Sequence, residues 1–121
     1  MPKTILLVED DVALAKMYST KFALEGFNVK IARSGDEGLN MALTEKPDLI
    51  LLDMMLPKVS GDVILQKIKN DSSAKNIPVI VLSNLTVTKE AQEAVRLGAK
   101  EYLAKAMHTP EQIVEKVKKY I

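Results

Sequence analysis

The chain contains no cysteine, and its 17 basic residues barely exceed its 16 acidic ones, which gives a formal net charge of +1. Without cysteine, a disulfide framework, a thiolate metal site and a cysteine nucleophile are all excluded. Without a clear basic excess, an electrostatic nucleic-acid footprint is not expected. No apolar run approaches membrane-spanning length, and the start, Met1-Pro2-Lys3-Thr4-Ile5, lacks the apolar core of a secretory signal. We therefore expect a cytoplasmic protein with no membrane association and no direct nucleic-acid contact.

The composition is that of an ordinary globular domain. Of the 121 residues, 47% are hydrophobic and 27% are charged, which is typical of soluble folded proteins. The length suits a single core, and no linker, repeat or low-complexity segment interrupts the chain. We predict one domain over residues 1–121.

Strand-like and helix-like segments alternate along the whole chain. Short apolar runs bounded by polar residues predict five strands, and segments with apolar residues at helical spacing predict five helices. The predicted strands are Thr4–Val8, Asn28–Ala32, Asp48–Leu52, Pro78–Leu82 and Glu101–Ala104. The predicted helices are Val12–Glu25, one capped by Ser34, one lined by Val63, Ile64, Leu65 and Ile68, Thr88–Leu97, and one starting at Thr109-Pro110. This alternation predicts an α/β fold, a doubly wound parallel sheet with helices on both faces.

Two of the apolar runs end in acidic residues. The first strand runs into Glu9 and Asp10, and the third runs into Asp53. If these strands are parallel neighbours, their carboxyl ends coincide, at the edge where open sheets of this kind bind ligands. Clustered carboxylates repel one another unless a cation holds them, and an oxygen-rich acidic pocket suits Mg²⁺. The competing interpretation is that Glu9 and Asp10 are only acidic residues at a helix start.

Further candidate groups follow the other strands. Ser83 comes directly after the fourth strand and Lys105 directly after the fifth. Asp10, with Glu9 acting through water, would bind Mg²⁺, and Asp53 and the carbonyl of Met55 would add oxygen ligands. Asp53 is also a candidate nucleophile, with Mg²⁺, Lys105 and the Ser83 hydroxyl each neutralising a phosphoryl oxygen. The alternative interpretation is that Lys105 is an ordinary surface lysine and that Ser83 is an ordinary turn residue.

These residues together resemble the response-regulator receiver domain of two-component signalling, in its chemotaxis-regulator-like, single-domain form. The motifs that carry the resemblance are Ile5-Leu6-Leu7-Val8-Glu9-Asp10-Asp11, Asp53-Met54-Met55-Leu56-Pro57 with Gly61, Leu82-Ser83, Gly98-Ala99-Lys100-Glu101-Tyr102, and Lys105. The resemblance implies a flavodoxin-like sheet with strand order 2-1-3-4-5. It implies that Asp53 accepts a phosphoryl group from a histidine kinase or phosphotransfer protein. It also implies that Ser83 and Tyr102 then move, changing the surface that a downstream protein target recognises.

The chain departs from the family pattern at several positions near the expected phosphate. Ala106 stands where the family usually has proline, so the loop either takes a trans path or stores the strain of a cis bond. Asn84 is larger than the usual small residue, and Met55 and Leu85 are apolar where they flank the expected phosphate. We predict that Asn84 narrows the entrance to Asp53, and that Met55 and Leu85 shield the phosphate from water and slow its hydrolysis. Lys100 replaces a common aspartate of the family's dimer surface, so we expect a monomer or a weak phosphorylation-linked dimer.

Two other functions remain open at this stage. The first is a Mg²⁺-dependent phosphohydrolase with Asp53 as nucleophile, although haloacid-dehalogenase-like phosphatases need an aspartate where this chain has Met55. The second is a degenerate receiver that binds partners without taking phosphate. We favour the phospho-acceptor switch, with self-catalysed transfer and hydrolysis and no turnover of an external substrate.

Overall fold

The computed structural model describes residues 2–54, 61–83 and 88–121. Within these residues, strands and helices alternate along the chain. The strands are β1 Thr4–Val8, β2 Asn28–Ala32, β3 Leu49–Asp53, β4 Val79–Ser83 and β5 Glu101–Ala104. The helices are α1 Val12–Leu24, α2 Gly35–Glu45, α3 Gly61–Asn70, α4 Thr88–Arg96 and α5 Pro110–Lys118, with a 3₁₀ turn at Lys105–Met107.

The strands form one parallel sheet in the order β2-β1-β3-β4-β5. The predicted fold class and strand order are therefore confirmed. β1, β3 and β4 are buried on both faces, as their near-continuous Leu, Ile and Val content requires. β2, at the sheet edge, alternates between exposed and more buried residues.

The helices cover both faces of the sheet, and each face has its own apolar cluster. One cluster joins α2, α3 and α4 to alternate residues of the central strands, with Leu6, Ile50 and Val81 among its members. The other joins α1 and α5 to the opposite residues, among them Leu7 and Leu51. The two clusters are separate because successive side chains of a strand point to opposite faces of the sheet.

Most predicted boundaries hold within one residue, and the differences bear on the site. The structure begins β3 and β4 one residue later than predicted and extends them to Asp53 and Ser83. The extension follows from pairing, because Asp53 lies opposite Leu82 and Ser83 opposite Ala104. The predicted inward position of Val63 is wrong, because this side chain is 37% exposed. Each helical residue turns about 100°, and Val63 lies off the stripe that the other buried α3 residues form.

Local capping fixes where the helices begin. Asp11 caps α1, and its Oδ1 accepts the Leu14 N–H at 3.0 Å. The predicted capping box of α5 is present, since Thr109 and Gln112 exchange hydrogen bonds of 2.8 and 3.1 Å. Among the described residues every peptide bond is trans, so the chain follows a trans path after Lys105. In the part of the chain that the structure describes, every helix is too short or too polar to cross a bilayer.

Candidate functional site

Strand register brings the predicted site residues to one edge of the sheet. Val8 on β1 pairs with Leu52 on β3. The next residues, Glu9 and Asp53, therefore lie beside each other at the carboxyl ends of the two strands. Ser83 pairs with Ala104, which places Lys105 one residue beyond. The carboxyl ends of four strands therefore present two acids, a hydroxyl and an ammonium group to one place, with Asp10 beside them.

Three carboxylates meet at this edge. Glu9, Asp10 and Asp53 each offer an oxygen, and these oxygens all lie within 4.8 Å of one another. Glu9 is 1% exposed and Asp53 is 5% exposed, whereas Asp10 is exposed to solvent. The neighbouring strands hold the two buried acids, and Asp10, in the loop before α1, leaves the cluster open to solvent on one side.

Lys105 joins the two buried acids. Its Nζ donates to Glu9 Oε1 at 2.6 Å and to Asp53 Oδ2 at 3.2 Å, and its side chain is only 8% exposed. The second Glu9 oxygen accepts the backbone N–H of Asp11 at 3.2 Å. The sequence placed Lys105 at this edge but offered no sign that Glu9 would be its shorter contact.

Burial controls the electrostatics of the cluster. The pKa of Glu9 is raised from 4.5 to about 7, mainly by desolvation and also by Asp53, and the hydrogen bond and charge of Lys105 only partly offset this rise. For Lys105, burial opposes the charge, but the hydrogen bond to Glu9 and the charge of Asp53 outweigh it and raise the pKa of the ammonium. The geometry supports this assignment, because the ammonium lies between two buried acids that would otherwise face each other.

The donor set of this cluster fits Mg²⁺. Carboxylate oxygens are the hard ligands that Mg²⁺ prefers, and it binds through few protein groups because it keeps several waters. Three acids face one ammonium here, so full ionisation leaves an excess of negative charge that a divalent cation can balance. The predicted ligand Met55 lies outside the described residues.

The structure describes the two predicted switch residues but not the residues predicted to control access to the phosphate. Ser83 is fully buried at the end of β4. Tyr102 lies half-buried on β5, against the apolar cluster of α2, α3 and α4. Asn84 and Leu85, predicted with Met55 to control access to the phosphate, lie outside the described residues.

Sequence reasoning missed the proximity of one further residue. Tyr18 lies on α1, is 3% exposed, and is close enough to Lys105, Glu9 and Asp53 to feel their charges. Its place in the apolar pattern of α1 marked it only as a core residue. A phenol among core positions was the signal available, since a buried tyrosine hydroxyl usually has a polar partner.

Comparisons with known proteins agree with this geometry. A family model described as the response regulator receiver domain matches residues 5–118. The chain is 31% identical, over its full length, to the polar-differentiation response regulator DivK of Brucella anthropi and covers 98% of that protein. It is 34% identical over 93% of its length to the DNA-binding dual master transcriptional regulator RpaA of Synechocystis, of which it spans 46%.

A solved structure shows the same architecture. A chain of the CheX–CheY–BeF₃–Mg²⁺ complex from Borrelia burgdorferi matches with a TM-score of 0.91 and 27% identity, over 98% of this chain and 89% of that one. These matches agree with the strand order of the sheet and with the acidic cluster at the carboxyl ends of its strands. The chain therefore belongs to the response regulator receiver domain family.

Proposed function

We propose that Asp53 is the phospho-acceptor of this receiver domain. One observation carries the proposal: the Asp53 carboxylate ends a buried strand, accepts a hydrogen bond from Lys105 at 3.2 Å, and lies within 4.8 Å of two further acids. Asp53 is thus held in place at an edge where phosphoryl charge can be neutralised, which is the main requirement for phosphoryl transfer.

The transfer uses groups that the chain already brings together. A carboxylate oxygen of Asp53 attacks phosphorus, the new O–P bond forms, and the bond from phosphorus to the donor breaks. The donor, a phosphohistidine nitrogen or the acetate oxygen of acetyl phosphate, leaves with the electron pair. Lys105 shifts from the carboxylates toward the phosphoryl oxygens, and the Ser83 hydroxyl donates to another, so both stabilise charge that develops in the transition state.

The acidic cluster would hold the Mg²⁺ that this reaction needs. Asp10 and Asp53 are the proposed direct ligands, with Glu9 acting through water and the Met55 carbonyl completing the set. When bound, Mg²⁺ supplies positive charge that neutralises the phosphoryl oxygens and the clustered acids. The solved complex that contains a chain similar to this one includes CheX, CheY, BeF₃ and Mg²⁺, which supports the assignment.

Phosphorylation then acts as a switch. The phosphoryl group adds nearly two negative charges and three acceptors, which draw Ser83 toward it and let Tyr102 move inward. The surface formed by α4, β5 and α5 changes and binds a downstream protein. The proposed donors are a histidine kinase or a phosphotransfer protein, as the family indicates. Transfer and later hydrolysis are self-catalysed, the domain does not turn over an external substrate, and it is a monomer or a weak phosphorylation-linked dimer.

Reaction with acetyl phosphate tests the proposal. Wild type with Mg²⁺ should gain the mass of one phosphoryl group, Asp53→Asn should gain none, and a chelator should prevent the reaction. Asp48→Asn is the matched control, because Asp48 lies just before β3, at the opposite edge of the sheet, and is exposed. Unmodified wild type, or equal modification of Asp53→Asn, would show that Asp53 is not the acceptor.

A further inference from the structure

Tyr18 has a buried hydroxyl for which the described residues provide no hydrogen-bond partner. The residue is 3% exposed, and its ring belongs to the apolar cluster formed with Ala15, Leu103 and Ile113. Buried side-chain hydroxyls nearly always have a partner, and an apolar ring alone would fill this position without that cost. The hydroxyl of Tyr18 is therefore not explained by packing.

The position of Tyr18 on α1 indicates the direction of its side chain. Side chains of an α-helix slope toward its N-terminus and cover the preceding turn. The residue one turn before Tyr18 is Ala15, a small side chain that is itself 1% exposed. The long phenol can pass over Ala15 toward the start of α1, which follows directly on Glu9 and Asp10.

The charges of the site reach this hydroxyl. Burial is the main cause of the raised pKa of Tyr18; the Lys105 ammonium lowers that pKa, and the Glu9 and Asp53 carboxylates raise it. All three charged groups of the buried cluster thus act on one phenol. The packing of α1 agrees with this effect, because Tyr18 shares its apolar cluster with Leu103, which lies two residues before Lys105.

Lys105 has one hydrogen to spare for such a neighbour. An ammonium group carries three donors, and two of them point to Glu9 and Asp53 at 2.6 and 3.2 Å. Once an Asp53 oxygen is bonded to phosphorus, the ammonium must leave this arrangement and turn to the phosphoryl oxygens. A neutral oxygen close to Lys105 can accept a hydrogen bond from the ammonium during this movement. Because it carries no charge, it does not compete with the phosphoryl oxygens for the ammonium.

We propose that Tyr18 is a positioning residue, whose hydroxyl oxygen accepts a hydrogen bond from the Lys105 ammonium, directly or through one water, when Lys105 turns toward the phosphoryl group. The inference rests on the proposed function of Asp53 and adds a residue to that site. Tyr18 touches no reacting atom, and it acts only by limiting the directions that Lys105 can adopt.

Removing only the hydroxyl separates this role from a structural one. Tyr18→Phe keeps the ring and should not lower the urea midpoint of the unphosphorylated protein, because no partner is lost there and an unpartnered buried hydroxyl is removed. The rate of phosphorylation by acetyl phosphate with Mg²⁺ should fall roughly tenfold, the scale of one hydrogen bond to a charged group. The ¹⁵N signal of the Lys105 ammonium in the beryllofluoride-bound state should broaden or shift.

Tyr120→Phe is the matched control. That hydroxyl donates to Glu101 Oε2 at 2.7 Å, at the opposite edge of the sheet, so its loss should change neither the rate nor the Lys105 signal. A wild-type rate and an unchanged Lys105 signal in Tyr18→Phe would overturn the inference, as would equal losses in both variants. A lower urea midpoint with a normal rate and signal would assign Tyr18 a structural role instead.

The same experiments distinguish the two proposals. If wild type takes no phosphoryl group, the assignment of Asp53 fails. If wild type is modified and Tyr18→Phe matches it in rate and in the Lys105 signal, only the inference on Tyr18 fails.

Discussion

Glu9 should make the folded protein less stable as the pH rises from acidic to neutral. Its carboxyl is 1% exposed, and burial raises its pKa from 4.5 to about 7 in the absence of a metal ion. The perturbation that isolates this effect is Glu9→Gln, which keeps an oxygen for the Lys105 ammonium and removes the titrating group.

The sign follows from proton binding in the two states. Between pH 4.5 and 7 the folded protein holds a proton on Glu9 that the unfolded chain has lost, so the free energy of unfolding falls as the pH rises. The interval between 4.5 and about 7 corresponds to roughly 3 kcal/mol, since each pKa unit is worth about 1.4 kcal/mol. Lys105 does not interfere, because its raised pKa contributes stability that is lost only as the pH rises through its folded-state value, above 10.5.

The assay is urea unfolding in the presence of a chelator, at several pH values from about 4 to 8. The quantity to follow is the free energy of unfolding of wild type minus that of Glu9→Gln, because the acids outside the cluster titrate equally in both proteins. This difference should fall by about 3 kcal/mol across the interval and level off above it. The exposed Glu115→Gln is the control and should follow the wild-type profile.

A difference that stays constant from pH 4.5 to 7.5 would refute the reasoning, since it would mean that Glu9 titrates alike in the folded and unfolded states. A difference that rises with pH would also refute it, since it would mean that the Lys105 ion pair outweighs burial.

Two further changes test how the framework supports the site. Gly61→Ala places a Cβ 2.7 Å from Met54 Cα and 2.8 Å from the Asp53 carbonyl oxygen; the backbone must shift, so we expect a loss of about 1–3 kcal/mol in unfolding free energy and slower modification of Asp53 by acetyl phosphate. Normal stability and a normal rate would contradict this. Thr109→Ala removes the capping bond to the Gln112 N–H, 3.1 Å long, and should lower thermal stability by about 1 kcal/mol at an unchanged modification rate, so a slower rate would show that the cap affects the site.

Local patterns predicted much of this fold. The sequence pattern predicted the bounds of β1, β2 and β5. For β1 the reason is that a strand buried on both faces must be apolar at nearly every position. The capping box at Thr109 was also predictable, since its partners lie within three residues. The acidic ends of β1 and β3 identified the edge of the sheet at which the site lies.

The contacts within the site were decided by the tertiary structure. Lys105 is 96 residues from Glu9 and 52 from Asp53, and no local pattern states which carboxylate it approaches more closely. The raised pKa of Glu9 depends on burial from neighbouring strands, and the nearness of Tyr18 depends on how α1 packs on the sheet. The amino-acid sequence by itself determined the elements, their order and the residues at their ends, because these depend on periodicity and on neighbours a few positions away. Only the tertiary structure determined distances, burial and charge coupling, because these depend on strand register and helix packing between distant segments.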